Sequence, residues 1–111
     1  MTAAEQKSRK IVIVAYKPKQ GCEGQLLELT REHVPLLRRG GLATDHPVTI
    51  CQAADGTVIE VFEWEAGTIE RAHSNDVLNQ LWREYAAGCT YVPPNTLAEA
   101  ADMFAGFVRV D

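Results

Sequence analysis

The spacing of apolar and polar residues divides the chain into a short series of elements. Residues 10–17 (KIVIVAYK) form a β-branched block apolar on both faces, which predicts a buried strand closed by Pro18 and Gly21. Between residues 21 and 40, Leu26, Leu29, His33, Leu36 and Leu37 fall within one arc at about 100° per residue, the mark of an amphipathic helix. Pro35 should kink or restart it, and Gly40-Gly41 should stop it, with Arg38 and Arg39 at the negative end of its dipole. Residues 46–53 (HPVTICQA) predict a second strand. Asp55-Gly56 then signals a tight hairpin into residues 57–65 (TVIEVFEWE). This third strand alternates, with Val58, Glu60, Phe62 and Trp64 on one face and Ile59, Val61, Glu63 and Glu65 on the other. Large apolar groups on both faces imply that both are covered.

The second half repeats the helix signal. Residues 66–75 predict one or two turns, with Ile69, Ala72 and His73 on one side. Residues 76–87 predict a better helix, with Val77, Leu78, Leu81, Trp82 and Tyr85 as its apolar stripe and Ser74, Asn75 or Asp76 as its cap. Residues 91–95 (YVPPN) read as a rigid loop, residues 96–102 as a short helix capped by Thr96, and residues 104–110 as a last strand. The order β-α-β-β-α-β predicts an α+β, ferredoxin-like fold, an antiparallel sheet with helices on one face. The other face, apolar on strands 1 and 3, would need a lid. A second copy packed sheet to sheet would supply one, the face with Ile59 and Val61 being the expected contact; the alternative is cover by the chain's own terminal segments.

Composition narrows the function. A chain of 111 residues, 46% hydrophobic, fits one domain, with residues 1–9 as a flexible tail and 10–111 as the folded unit. The net charge is -4 and no basic run exceeds Arg38-Arg39 beyond the scattered Lys7, Arg9 and Lys10, which argues against nucleic acid as a partner. Cys22, Cys51 and Cys89 are odd in number and far apart, the usage of a reducing cytoplasm rather than of a disulfide framework. Residues 1–10 lack the apolar core of a signal peptide, and the longest apolar run, residues 11–16, is too short to span a membrane.

Several residues carry candidate chemistry. His33 sits on the apolar arc of the first helix, where it either hydrogen-bonds within the core or turns a nitrogen into a cavity as a general base. His73 is a pocket candidate or a surface histidine. Phe62 and Trp64, at i and i+2, would form a wall for a flat ligand, with Trp82 as a second wall; plain core packing is the alternative for all three. Glu60 interrupts an apolar face and is costly there unless paired or solvated; beside a wet pocket it could act as a base, and Tyr16 could offer a phenol to the same region. His46 should be exposed. No His or Cys spacing fits a metal site, no glycine-rich loop fits a nucleotide, and Cys22 lacks a visible base partner.

Residues 11–21 (IVIVAYKPKQG), the helix ending in Gly41-Leu42, the hairpin Asp55-Gly56-Thr57 running into Phe62-Glu63-Trp64-Glu65, the pair Ala72-His73 and the tail 103–107 (MFAGF) together resemble the dimeric α/β-barrel superfamily. The likeness is greatest to its antibiotic-biosynthesis monooxygenase type, and it spans residues 10–110. It implies a homodimer, a pocket between sheet and helices in each subunit, and a cofactor-independent monooxygenase acting on a small aromatic or polyketide-type molecule. On this reading His73 and His33 would be catalytic, and Trp64, Phe62, Trp82, Glu60 and Tyr16 would bind substrate. A non-catalytic binding or dimerisation module of the same fold is the alternative. A haem-degrading branch uses an Asn on strand 1, a Trp at the end of strand 3 and a His on the next helix; Trp64 and His73 match by place, but residues 11–16 contain no Asn, which ranks this activity last.

Overall fold

A computed structural model describes residues 8–110, except for the side chain of Ile69. Most of the expected tail, residues 1–7, lies outside the described residues. Its last member, Arg9, is tied to the sheet by a 2.9 Å ion pair with Glu65.

The chain forms β1 (Lys10–Pro18), α1 (Glu23–Arg39), β2 (Thr49–Gln52), β3 (Val58–Trp64), α2 (Ile69–His73), α3 (Asp76–Gly88), β4 (Cys89–Val92) and β5 (Val108–Arg109). The strands make one sheet in the order β4-β1-β3-β2-β5, and all four pairings are antiparallel. The architecture is thus α+β. Helix α1 continues through Pro35, which lies on its exposed side, so the helix does not stop and restart there. The helix stops where Gly41, at φ +70°, lets Leu42 N–H reach back to the Leu37 carbonyl at 2.8 Å. Asn75 supplies the cap of α3, its side chain accepting from Leu78 N–H at 3.1 Å.

Three expected elements are corrected. The strand beside β1 comes from Cys89–Val92, within and just before the segment read as a loop. Helix α3 passes into it directly, because Cys89 is already extended (φ -152°, ψ 170°) and Pro93-Pro94 leaves only four residues for pairing. Of the strand expected over 104–110, only Val108–Arg109 pairs, and it does so with β2 on the opposite edge. The helix expected over 96–102 is instead two 3-10 turns, Pro94–Thr96 and Ala98–Ala101, separated by an extended Leu97 (φ -77°, ψ 140°). The second strand is also shorter than residues 46–53. Arg38 draws the Thr44 and His46 carbonyls away at 2.9 and 2.7 Å, and Pro47 has no N–H to pair.

The two sheet faces are covered differently. Helices α1 and α3 lie on the face that carries Tyr16, Val58 and Phe62, with Leu26, Leu29, Leu37, Leu78, Leu81 and Tyr85 filling the space between. On the other face Ala15, Cys51, Ala53 and Ile59 are buried with Leu97, and Phe107 packs at their margin. The C-terminal segment makes this cover, and Glu99 fastens it by accepting from Ala54 N–H at 2.8 Å. Ile59, expected to meet a second copy, is therefore covered by its own chain and only 3% exposed. Ile11 and Ile13 on the same face stay 52% and 58% exposed. Among the described residues no helix is long and apolar enough to cross a membrane.

Candidate functional site

Between the sheet and the helices lies a cleft of about 430 Å³. Strand β1 gives it Val12, Val14 and Tyr16, β3 gives Phe62 and Trp64, α1 gives His33, α2 and α3 give His73 and Trp82, and β4 gives Tyr91. The period of two along β1 and β3 aims alternate side chains at the helices, and the register puts Val12 opposite Phe62 and Val14 opposite Glu60. Trp64 at the end of β3 is steadied by a bridge to Ala43, just beyond α1. Phe62 and Trp64 meet edge to face, ring centres 5.3 Å apart.

The polar centre of the cleft is a chain of four side chains. Glu60 is wholly buried, and its Oε1 accepts from the Tyr16 hydroxyl at 2.8 Å and faces His33 Nδ1 at 2.9 Å. Trp82 Nε1–H donates to His33 Nε2 at 3.2 Å. An indole N–H can only donate, so Nε2 is the accepting nitrogen and Nδ1 carries the proton given to Glu60. The imidazole is thus held by its surroundings in one tautomer, packed edge to face on Phe62 and Tyr85 at 5.5 and 5.6 Å. The second carboxylate oxygen of Glu60, Oε2, is buried without a hydrogen-bond partner.

The tyrosines around this chain hold their protons tightly. Burial, and then the charge of Glu60, push the Tyr16 phenol far above its usual range, and the same two causes raise Tyr85. Tyr91 is pushed up to about 12, chiefly by burial. Near neutral pH these phenols keep their protons and do not act as bases; Tyr16 and Tyr85 use theirs to donate hydrogen bonds. Tyr16 stacks on Tyr85 at 4.7 Å, and the Tyr85 hydroxyl donates to Thr30 Oγ1 at 3.2 Å, which fixes the floor behind Glu60 and His33.

The structure brings together six of the seven residues singled out from sequence: Tyr16, His33, Phe62, Trp64, His73 and Trp82 all line the cleft. Glu60 stands behind His33 as its partner, so the carboxylate reaches the cleft through the imidazole. His73 is exposed at the border of the cleft, its ring 5.6 Å from that of Trp82. Sequence reasoning missed Tyr91, because it took β4 for a loop, and it missed Thr30, whose hydroxyl carries no periodic signal. His46 is exposed, as expected. Among the described residues no group of three or more His, Cys, Asp or Glu could hold a metal ion. A second hollow of about 520 Å³, beside Gly40, Leu42, Glu70, Arg71, Ser74 and Asn75, contains none of these aromatic groups.

Compared with known proteins, the chain matches no family model, no curated protein and no solved structure.

Proposed function

We propose that the cleft binds a small, flat, hydroxylated aromatic molecule and promotes its oxygenation without a cofactor, in the manner of the antibiotic-biosynthesis monooxygenase type of dimeric α/β barrel. The observation that carries this reading is the buried Glu60–His33 pair at 2.9 Å, set at the floor of an aromatic cleft. The sheet order β4-β1-β3-β2, with β5 as an added edge, supports a ferredoxin-like β-α-β-β-α-β unit. The volume of about 430 Å³ suits a ligand of two or three rings, and Phe62, Trp64 and Trp82 offer stacking surfaces.

The chemistry divides simply. Glu60 holds the imidazole in the tautomer whose Nε2 can take a proton, and its charge steadies the imidazolium that results. His33 removes the proton of a ring hydroxyl, and the electron-rich phenolate carbon reacts with dioxygen to form a C–O bond. The hydroperoxide then loses its C–H proton, its O–O bond breaks, and the distal oxygen leaves as water. One molecule of phenol and one of dioxygen give one of quinone and one of water, and the four electrons that reduce dioxygen come from the substrate. The apolar walls limit water at the reacting carbon.

The test is oxygen uptake and quinone absorbance with hydroxylated bicyclic and tricyclic aromatics. The wild-type chain should turn over at least one of them, and His33→Ala should lower kcat by roughly two to four orders of magnitude. Retention of full turnover by His33→Ala would sink the mechanism, and its loss in His73→Ala alone would move the base to His73. One observation favours a second reading, a non-catalytic binding module: Trp82 occupies the very nitrogen that the base would use. That reading predicts ligand binding with no oxygen uptake.

We infer also that two copies pair through the sheet face bearing Ile11 and Ile13, which remain more than half exposed, with Met103 and Phe104 more than nine-tenths exposed on the C-terminal segment. Two-fold pairing of like faces buries such groups without a second kind of partner.

A further inference from the structure

A histidine with both ring nitrogens engaged has no lone pair to offer a ligand. His33 is in this state, with Nδ1 on Glu60 and Nε2 on Trp82. The two bonds are not equally firm. Glu60 is wholly buried in the central strand β3, and its bond to His33 is 2.9 Å; the indole bond is 3.2 Å, at the long limit for an N–H donor. His33, Phe62 and Tyr85 are 4%, 2% and 0% exposed, whereas Trp82 is only half-buried and its other ring neighbour is the exposed His73. The indole, which packs at the margin of both core clusters, is therefore the less deeply held of the two partners.

We propose, resting on the reading of the cleft as a site for hydroxylated rings, that Trp82 is a ligand-operated cap on the base. Its N–H holds His33 Nε2 while the cleft is empty and passes to the ligand's oxygen when a ring hydroxyl enters. The pair itself defines the group that can take this place. The entering atom must accept from the indole N–H and donate to Nε2, and a hydroxyl does both with one oxygen. An ether or a ketone can only accept, and an ammonium can only donate. The nitrogens must part from 3.2 Å to roughly 5 Å to admit an oxygen with a hydrogen bond to each, so the cap requires the half-buried indole to shift by about 2 Å. Trp82 thereby selects for a free ring hydroxyl, and the imidazole is uncovered only by the group whose proton it is to take.

The Trp64→Phe variant leaves one indole, whose N–H is followed by 1H–15N correlation NMR during titration with 1-naphthol or with its methyl ether, 1-methoxynaphthalene. The same titrations on the wild-type chain, with its two indoles, guard against a folding defect in the variant. Naphthol should bind and move the Trp82 signal, and the ether should bind at least roughly tenfold more weakly, reflecting the lost hydrogen bond to Nε2. Binding of naphthol with the Trp82 signal unmoved overturns the cap and leaves the phenol site standing. Equal binding of ether and naphthol overturns the bridging hydroxyl. Failure of naphthol to bind the wild-type chain overturns both the cap and the site on which it rests.

Discussion

The two faces of the sheet differ in what they bury, large aliphatic and aromatic side chains on one and a few mostly small ones on the other, and they are closed by different means. One lies under α1 and α3, elements of 17 and 13 residues, and holds the Tyr16–Glu60–His33–Trp82 chain within its core. The other lies under two 3-10 turns and the segment that follows them, which bury the apolar cluster of Ala15, Cys51, Ala53, Ile59 and Leu97. Helices impose a fixed spacing on what they cover, so a polar chain can be held at hydrogen-bonding distance there. A strap of turns needs only to exclude water. Function is expected on the first face for this reason, and association on the part of the second that the strap does not reach.

The largest difference should appear in the cores themselves. Leu37→Ala, on the buried side of α1, should cost about 4 kcal/mol, because fixed walls cannot collapse on the cavity. Leu97→Ala, in the strap itself, should cost about 2 kcal/mol, because a short segment can settle inward. Urea melts of both variants check the contrast, and equal losses would show the strap to be as rigid as the helices.

Next in size is the polar chain. Glu60→Leu strands two buried donors, the Tyr16 hydroxyl and His33 Nδ1–H, and should cost about 3 kcal/mol. Glu60→Gln keeps one accepting oxygen and removes a buried charge whose Oε2 has no partner, so it should cost less than about 1 kcal/mol. If Gln is tolerated in stability while oxygen uptake falls, the carboxylate is kept for the site and not for the fold. A large stability loss in Gln would reverse that assignment.

The same face should also fail first in alkali. Tyr16 and Tyr85 have folded-state pKa values raised from the usual 10.0, mainly by burial. Their contribution to stability is complete below pH 10 and is lost as the pH rises beyond it, because the unfolded chain then gives up protons that the folded chain keeps. The melting temperature should fall steeply from about pH 10 upward, and Tyr16→Phe should make that fall shallower. An equal slope in the variant would remove Tyr16 from the account.

How much of this was legible in the sequence follows the same division. The helix-covered face was readable because α1, α3 and β3 carry long periods; these placed His33, Phe62, Trp64 and Trp82 toward one space before any coordinates. The role of Glu60 was only half readable. Its place on an apolar strand face signalled a partner, but the partner lies 27 residues away on another element. The chain beyond α3 was misread because a four-residue strand and two 3-10 turns have no period to detect, and because a run such as residues 104–110 looks like a strand whether or not an edge is there to receive it. Pairing of β5 with β2, rather than with β1, is a tertiary choice that no local pattern encodes.

The smallest effect on folding should come from the exposed part of the second face. Ile13 is 58% exposed and stands opposite Val61, two pairs along from Ile11 and Glu63 on the same face. Lysine in its place keeps the strand's solvent contact and gains a diagonal carboxylate, so Ile13→Lys should alter the stability of the single chain by less than about 0.5 kcal/mol. Its effect on pairing should be out of proportion to this, since two-fold symmetry places the new charge on both sides of one interface. Sedimentation equilibrium should give the mass of two chains for the wild type and of one for the variant. A wild type that stays single at tens of micromolar would mean that the strap and the bare isoleucines suffice as they are, and the contrast between the faces would then rest on the polar chain alone.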